Sequence, residues 1–307
     1  MAASARAEAS ATGRIWFMAA RPRTLPAAVA PVLVGTSLAL GAGSFDPFAF
    51  LAALLGALFI QVGTNLSNDY SDARRGADTE DRLGPVRVTA GGLVPPRQVL
   101  YATYLTFGLA VLCGVYLIIV AGWILLAVGA ASILAGVLYT GGPKPYGYEG
   151  LGELFVFLFF GVVAVTGSYY VQVQQLPWQS FVEAVPVGLL ASAILVVNNV
   201  RDLDTDRRAG KRTLAVRLGR ERTRMLYVAM LVIAFLVAPL PWLLGSMSAW
   251  LLLCWLAIPL AVRVIGTVRT RLDGPSLNGA LAATGALQLA FCLLLSAGIL
   301  ASGGIGS

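Results

Sequence analysis

The chain has 307 residues, of which 58% are hydrophobic and only 12% are charged, and its mean hydropathy is +0.79. A composition this apolar excludes a soluble globular domain and places the chain in a lipid bilayer. The net charge of +7 comes from 22 basic and 15 acidic residues, and the sequence contains no histidine. The lack of histidine excludes histidine-based acid–base catalysis and histidine-ligated metal sites.

The N-terminal segment is predicted to be a disordered tail over 1–13, rich in Ala and Ser, followed by a single transmembrane domain over 14–307. The first apolar stretch has about 22 residues, longer than the core of a signal peptide, so we interpret it as a retained span. In chain order the uncharged stretches are 24–45, 47–68, 98–143, 154–182, 184–200, 225–262 and 274–307.

Two of these stretches, 98–143 and 225–262, are long enough to cross the membrane twice, because one crossing needs roughly 20 apolar residues. They can turn at Gly122 and at Pro239-Leu240-Pro241, where glycine and proline interrupt helices. We therefore predict an all-α polytopic membrane protein with nine transmembrane helices around a central cavity.

The basic residues predict the orientation of this bundle. With nine spans, all 22 lysines and arginines fall on one side, which is the cytoplasmic side by the positive-inside rule. The N-terminus is then cytoplasmic and the C-terminus external, in a multi-pass protein of a bacterial-type plasma membrane. Such a basic face suits anionic ligands or lipid headgroups, and we expect no nucleic-acid partner.

Acidic residues cluster at the cytoplasmic ends of two predicted spans. The side chains of Asn198, Asp202 and Asp206 are spaced i, i+4, i+8 and share one helix face, and Asn68 and Asp72 repeat that spacing. Carboxylates on one face repel each other unless a cation lies between them, and oxygen ligands of this kind suit Mg²⁺. The candidate metal ligands are Asn68, Asp69, Asp72, Asp78, Asn198, Asp202 and Asp206.

The two clusters lie four spans apart with the same orientation, which suggests an internal repeat of spans 1–4 and 5–8. It would bring both acidic helix ends to one cavity. Basic residues that follow each cluster could bind the phosphate groups of a substrate: Arg74, Arg82 and Arg87 after the first, and Lys211 and Arg212 after the second. For any one of them, anchoring to the lipid headgroups explains the charge equally well.

A glycine-rich segment around Lys144 could cover the cavity, although a plain interhelical turn explains these glycines equally well. Tyr139, Tyr146 and Tyr148 in the same segment are candidate cavity aromatics or hydroxyl partners. Aromatic residues are also common where a membrane meets water, so a place in that belt remains open for them.

These clusters resemble those of the UbiA superfamily of membrane aromatic prenyltransferases, whose Asp-rich motifs read N-x₃-D-x₃-D. The second cluster matches in full, whereas the first has Gly76 at the third position, with Asp78 two residues further on. That departure resembles the branch that prenylates 1,4-dihydroxy-2-naphthoate in menaquinone synthesis. Three further segments are similar to that branch: 21–26, 84–92 and 139–153.

The resemblance implies a nine-span all-α bundle that transfers a polyprenyl group from an allylic diphosphate to 1,4-dihydroxy-2-naphthoate, with loss of CO₂, to give demethylmenaquinone. It implies Mg²⁺ as the cofactor, and Asn68, Asp72, Asn198, Asp202 and Asp206 as the catalytic metal-binding set. The expected substrate-binding residues are Arg23, Arg74, Arg87, Tyr139, Lys144, Tyr148, Lys211 and Arg212.

Three alternatives remain open from the sequence. The same fold could act on another acceptor, such as 4-hydroxybenzoate, homogentisate, a porphyrin or a sugar phosphate. A membrane CDP-alcohol phosphotransferase is disfavoured because its expected D-G-x₂-A-R motif is absent. A transporter is disfavoured because the carboxylates lie at one mouth of the bundle rather than at span centres.

Overall fold

The computed structural model describes residues 12–77 and 83–303, and within these ranges the chain is helical, without strands. We number the membrane helices α1 to α9 in chain order. They are α1 Pro26–Gly41, α2 Pro47–Arg74, α3 Pro96–Ala121, α4 Ile124–Leu138, α5 Gly152–Val173, α6 Trp178–Arg208, α7 Arg220–Leu243, α8 Ala249–Thr270 and α9 Gly274–Ala301. A preceding segment, Thr12–Thr24, meets α1 at a bend of 53°.

Proline and small polar residues fix where several helices begin. The Asp46 carboxylate caps α2 by accepting from the amides of Phe48 and Ala49 at 2.8 and 3.2 Å, and Pro47 follows at the first helical position. Asp273 caps α9 in the same way through the Ser276 amide. These caps satisfy amides that have no partner inside the helix.

The number of spans differs from the predicted nine. Seven helices of the described chain are long and apolar enough to cross a membrane, and the bent pair Thr12–Thr24 and Pro26–Gly41 gives an eighth. The difference lies in α4, whose 15 residues extend only about 22 Å at 1.5 Å per residue, short of a bilayer core of about 30 Å. The short α4 still returns the chain from the Ala49 end of α2 to its Asn68 end. The all-α membrane bundle itself is confirmed.

The predicted N-terminal tail over 1–13 mostly lies outside the described residues. Thr12 and Gly13 are described and already belong to a helix that continues to Ala20, so the helical part begins at least two residues earlier than predicted. The single domain over 14–307 and the internal repeat remain predictions. The two helices that carry the acidic clusters are α2 and α6, and each carries its cluster at its C-terminal end.

The interior contains one extended apolar core formed by α1 and α5 to α9, with fully buried residues such as Leu190, Leu231 and Phe291. In α5, Phe157–Val163 is π-helical, and there α5 crosses α6 at two glycines. A Cβ added at Gly161 would lie 2.5 Å from the Gly188 Cα. Only glycine permits this approach, which places the aromatic side of α5 beside the cavity described next.

Candidate functional site

A cavity of about 530 Å³ lies between α1 and the helices that follow it through α6. One end of the cavity, its mouth, is polar and has both asparagine–aspartate clusters in its wall. The rest of its wall is apolar and comes mainly from α3, α4 and α5, through residues such as Val115, Ile133 and Phe159. The cavity therefore has the two environments that a molecule with a charged head and a hydrocarbon tail requires.

The first cluster meets the loop after α4. The Asn68 side-chain oxygen accepts a hydrogen bond from the Thr140 hydroxyl at 2.9 Å. One oxygen of Asp72 accepts from the Tyr148 hydroxyl at 2.5 Å, and the other lies 3.3 Å from the Arg87 guanidinium. Asp72 is buried, so this cation and this hydroxyl compensate its charge where water cannot.

Asp69 does not belong to this cluster, contrary to its predicted role as a metal ligand. Its two carboxylate oxygens accept hydrogen bonds from the backbone amides of Val88 and Thr89 at 3.0 and 2.9 Å. Asp69 is buried and lies outside the cavity wall. Its role is to fix the loop that carries Arg87. Asp78, also a predicted ligand, lies outside the described residues.

The second cluster is organised by a buried arginine that was not predicted as a site residue. The Arg201 guanidinium donates to both oxygens of Asp202 at 2.8 and 2.5 Å and to the side-chain oxygen of Asn198 at 2.7 Å. It also donates to Asn278 of α9 at 2.7 Å. Arg201 is only 2% exposed. Asn198 and Asp202 line the cavity, and Arg201 holds them from behind.

Asp206 lies one turn further along α6 and also lines the cavity. Its carboxylate is 3.6 Å from the Lys211 ammonium, which lies 4.9 Å from the centre of the Tyr148 ring. Because Tyr148 also donates to Asp72, its side chain contacts the first cluster directly and is linked to the second through Lys211. The predicted residues Arg87, Tyr139, Tyr148 and Lys211 therefore lie in the same cavity wall as the carboxylates.

Aromatic rings form the wall between the polar mouth and the apolar part of the cavity. Tyr139 packs edge-on against Tyr146, with ring centres 5.5 Å apart, and Tyr146 stacks on Phe155 at 4.1 Å. Burial raises the pKa of the Tyr139 phenol well above its ordinary value, and the nearby Glu153 carboxylate adds to the rise. Tyr139 is therefore neutral at physiological pH and can donate a hydrogen bond.

Four of the predicted substrate-binding residues lie away from the cavity wall. Arg23, Arg74, Lys144 and Arg212 are exposed and do not line it. Arg74 donates instead to Tyr70 on its own helix. Arg212 contributes its backbone, whose amide donates to the Tyr148 carbonyl at 2.8 Å. Positive charge near the clusters was a poor guide because topology alone requires arginine and lysine on this face.

Several polar residues of the cavity wall were not predicted. Arg21 lines the cavity in place of Arg23; its backbone is left-handed at a φ of 54°, a strained conformation that is uncommon for a residue other than glycine. Gln61 and Asn65 of α2 line the wall as well, and both donate to the Thr24 hydroxyl. Gln61, Asn65 and Asn68 follow one another at i, i+4 and i+7 and therefore share one face of α2. This spacing could have predicted that Gln61 and Asn65 line the cavity with Asn68.

The oxygen donors at the cavity mouth suit a hard divalent cation. In the described part of the chain, no three carboxylate, thiol or imidazole groups converge closely enough to hold a metal ion alone. Magnesium usually takes one or two carboxylates, with phosphate oxygens and water completing its shell. Asp72, Asp202 and Asp206 with the amide oxygens of Asn68 and Asn198 fit that requirement when a diphosphate supplies the remaining ligands.

An all-α membrane bundle with an extended cavity that has a carboxylate-lined mouth and an apolar interior defines an integral membrane protein with a site for an amphiphilic molecule. The model of the UbiA prenyltransferase family matches residues 28–278. The chain belongs to this family, and the family predicted from the Asp-rich motifs is confirmed.

Two relatives extend the match over most of the chain. One is the 1,4-dihydroxy-2-naphthoate octaprenyltransferase of Mycobacterium tuberculosis, 45% identical over 288 residues, which cover 94% of this chain and 97% of the relative. The enzyme of the same name from Escherichia coli is 40% identical and covers 84% of this chain and 86% of its own length. Prenyl transfer is thus the activity of this chain's near relatives.

A solved structure supports the fold. A UbiA homologue from Archaeoglobus fulgidus, bound to GPP and Mg²⁺, superposes with a TM-score of 0.64 at 14% identity, and the match covers 92% of this chain and 99% of the other. At this identity the comparison establishes the shared bundle architecture.

Proposed function

We propose that this protein transfers a polyprenyl group from an allylic polyprenyl diphosphate to 1,4-dihydroxy-2-naphthoate, with loss of CO₂, giving the hydroquinone demethylmenaquinol, which a separate oxidation converts to demethylmenaquinone. The observation that carries the proposal is the meeting of two asparagine–aspartate clusters, from α2 and α6, at the polar mouth of one apolar cavity. The names of the Mycobacterium tuberculosis and Escherichia coli relatives support this choice of acceptor.

The cofactor in this proposal is Mg²⁺, held by Asn68, Asp72, Asn198, Asp202 and Asp206. When bound, it would neutralise the diphosphate and make it a better leaving group. The Mg²⁺ and GPP in the Archaeoglobus fulgidus homologue support the pairing of a divalent cation with an allylic diphosphate in this fold. Asp78 stays a candidate ligand.

The positive side chains at the mouth would bind the leaving diphosphate. Arg87 and Lys211 lie beside Asp72 and Asp206, and Arg21 completes the basic wall. When the allylic C–O bond breaks, both electrons leave with the diphosphate oxygen, and these cations stabilise the added negative charge. Tyr148 fixes the relative position of the two clusters through its contacts with Asp72 and Lys211.

The aromatic wall would stabilise the allylic cation that remains. Ring faces carry partial negative charge, and Tyr146, Phe155 and Phe159 line the cavity just inside the mouth. An electron-rich ring carbon of the acceptor attacks the cation, and the carboxylate leaves as CO₂ while its bonding pair stays with the ring. The apolar interior holds the tail, each methylene of which contributes about 0.8 kcal/mol on leaving water.

The orientation follows from the same charge distribution that the sequence predicts. We propose that the mouth faces the cytoplasm of a bacterial-type cell, with the N-terminus on that side and the C-terminus outside. The bilayer would supply the lipid donor sideways and receive the lipid product.

The test is product formation by the purified full chain in lipid nanodiscs, measured by mass spectrometry. Prenyl diphosphates of several lengths are offered with 1,4-dihydroxy-2-naphthoate, 4-hydroxybenzoate and homogentisate, with Mg²⁺ or with EDTA. We expect Mg²⁺-dependent product from the naphthoate. Transfer to another acceptor alone would replace our substrate assignment, and flux of a solute without covalent product would replace the enzyme assignment.

Site variants test the metal-binding set. Loss of a partner that merely supports a metal ligand costs about 10–100-fold in activity, so Asp72→Ala and Asp202→Ala should lose at least that much. Asp204→Ala is the matched control, because Asp204 lies on the same helix but is 62% exposed and pairs with Arg220. Near-normal activity of either site variant, with the control also active, would exclude this set of ligands.

A further inference from the structure

Behind the second cluster lies a buried carboxylate, that of Glu153 at the start of α5, which neither the metal site nor the basic wall uses. The residue is 5% exposed. Its Oε1 accepts a hydrogen bond from the side-chain amide of Asn199 at 2.8 Å. Among the described residues its Oε2 has no hydrogen-bond partner. A carboxylate buried this deeply is costly, so its position calls for a functional reason.

The contact with Glu153 decides which end of the Asn199 amide faces the cavity. Asn199 lines the cavity, and the hydrogen bond to Glu153 Oε1 is donated by the Asn199 side-chain nitrogen. The Asn199 nitrogen must therefore face Glu153, which leaves the Asn199 Oδ1 for the cavity. Without the carboxylate, nothing in this contact would distinguish the nitrogen from the oxygen.

The surroundings of Glu153 keep this geometry rigid. The Ser192 hydroxyl of α6 donates to the Glu153 carbonyl at 3.0 Å. The Tyr139 ring packs over the neighbouring glycine, where an added Cβ at Gly152 would lie 3.3 Å from the ring edge and 3.0 Å from the Leu195 side chain. Tyr139 also lines the cavity, so a hydrogen-bond acceptor and a phenol donor stand in the same part of the cavity wall.

We propose that Asn199 Oδ1, oriented by Glu153, accepts a hydrogen bond from a ring hydroxyl of the aromatic acceptor and thereby selects a hydroxylated aromatic acid. Asn199 contacts the substrate, and Glu153 is a positioning residue that acts through it. The inference rests on the proposed function, which supplies the aromatic acceptor. It assigns the acceptor to the side of the cavity where α5 meets α6, next to the diphosphate end.

The experiment measures binding of two probes to the purified full chain in nanodiscs, without donor. The probes are 1,4-dihydroxy-2-naphthoate and 2-naphthoate, which lacks both hydroxyls, and the ratio of their Kd values is the hydroxyl preference. Asn199→Leu, or Asn199→Ala if the first does not fold, should reduce this preference by about tenfold, the value of one hydrogen bond to a buried acceptor. Glu153→Gln should reduce it less, because a glutamine amide permits both orientations of Asn199.

The double variant separates positioning from a general structural role. If Glu153 acts through Asn199, Glu153→Gln combined with Asn199→Leu should show the same preference as Asn199→Leu alone. The matched control is Glu183→Gln, since Glu183 is wholly buried on the same helix as Asn199 but lies outside the cavity wall. It should leave the preference unchanged, and the Kd for geranylgeranyl diphosphate with Mg²⁺ should stay within about twofold in every variant.

An unchanged hydroxyl preference in Asn199→Leu would overturn the inference. The inference would also be overturned if Asn199→Leu kept its hydroxyl preference and instead lost binding of the diphosphate donor or of Mg²⁺. Asn199 would then belong to the diphosphate end of the cavity. These results are distinct from failure of the proposed function, which would appear as absent prenyl transfer to the naphthoate by the unaltered protein.

Discussion

At the scale of single residues, Arg201 shows how the second cluster tolerates its own charge. A guanidinium with almost no exposure is shared among Asp202, Asn198 and Asn278, and through the Asn278 amide the contact extends to the Leu83 carbonyl in the loop before α3. Arg201 is thus the cation that compensates the Asp202 carboxylate within the protein itself. A metal ion bound at the mouth would add a second positive charge to the same carboxylate.

Replacing Arg201 by glutamine should therefore make the protein's stability depend on Mg²⁺. Removing one partner of a buried ion pair costs about 3–5 kcal/mol, because the other charge stays buried without compensation. We expect a marked fall in the melting temperature of Arg201→Gln in EDTA and a larger rise on adding Mg²⁺ than the unaltered protein shows. Differential scanning fluorimetry in detergent measures both.

The control for this prediction is Arg220→Gln. Arg220 pairs with Asp204, whose side chain is 62% exposed, and exposed pairs contribute only about 0–1 kcal/mol. Arg220 also donates to the Val200 carbonyl at 2.7 Å, so the melting temperature of Arg220→Gln should fall by less than that of Arg201→Gln, and its response to Mg²⁺ should equal that of the unaltered protein. Equal responses to Mg²⁺ in Arg201→Gln and Arg220→Gln would contradict a metal site that includes Asp202.

Residue spacing within a helix predicted which side chains share a face, but it could not predict contacts that form between helices. The i, i+4 relation correctly brought Asn68 with Asp72, and Asn198 with Asp202 and Asp206, to one cavity. Asp69 follows Asn68 directly and so points about 100° around the helix, toward the loop. Asp69 and Asp72 are the same residue type, but only Asp72 lies on the helix face that lines the cavity. Glu153 and Asn199 meet only after α5 and α6 pack, which no local pattern reveals.

At the scale of helices, hydropathy located the spans, but it could not show their irregularities. The π-helical segment Phe157–Val163 carries no signal in composition, and it exists where α5 approaches α6 at Gly161 and Gly188. The short α4 was predicted as a full crossing because its sequence is uniformly apolar. The length of each helix within a continuous apolar stretch depends on where the turns lie, and the positions of the turns depend on how the helices pack.

The glycine crossing should be sensitive to a single methyl group. A Cβ at Gly161 would lie 2.5 Å from the Gly188 Cα and 2.9 Å from the Ala184 carbonyl. Both are backbone atoms that cannot rotate away, so Gly161→Ala must separate the two helices, at a cost of about 1–3 kcal/mol. The fall in stability is measured by urea or thermal unfolding in detergent.

A glycine elsewhere in the same helix provides the comparison. A Cβ at Gly167 would meet no atom within 4 Å, and alanine is the better helix former by about 1 kcal/mol. Gly167→Ala should therefore be neutral or stabilising. If Gly161→Ala were equally harmless, the close approach of α5 to α6 would not be a feature of the folded protein.

At the scale of the whole molecule, charge asymmetry and helix direction give one consistent arrangement. Because α2 and α6 run in the same direction, both clusters lie at one end of the bundle. The short connections at the other end, over 42–46, 122–123, 174–177 and 244–248, contain no lysine or arginine. The basic end of the bundle and the carboxylate-lined mouth of the cavity therefore coincide, and this end would attract the anionic diphosphate of the proposed donor.

This arrangement predicts which positions a membrane-impermeant thiol reagent can reach in intact cells. Cys113, Cys254 and Cys292 are first replaced by alanine, and single cysteines are then placed at Ala42 and Thr270, which are both exposed and at opposite ends of the bundle. The cysteine at 42 should react in intact cells, and the cysteine at 270 only after the membrane is opened. The reverse labelling pattern would show that the bundle has the opposite orientation. The cavity mouth would then lie outside the cell, where a cytoplasmic diphosphate could not reach it.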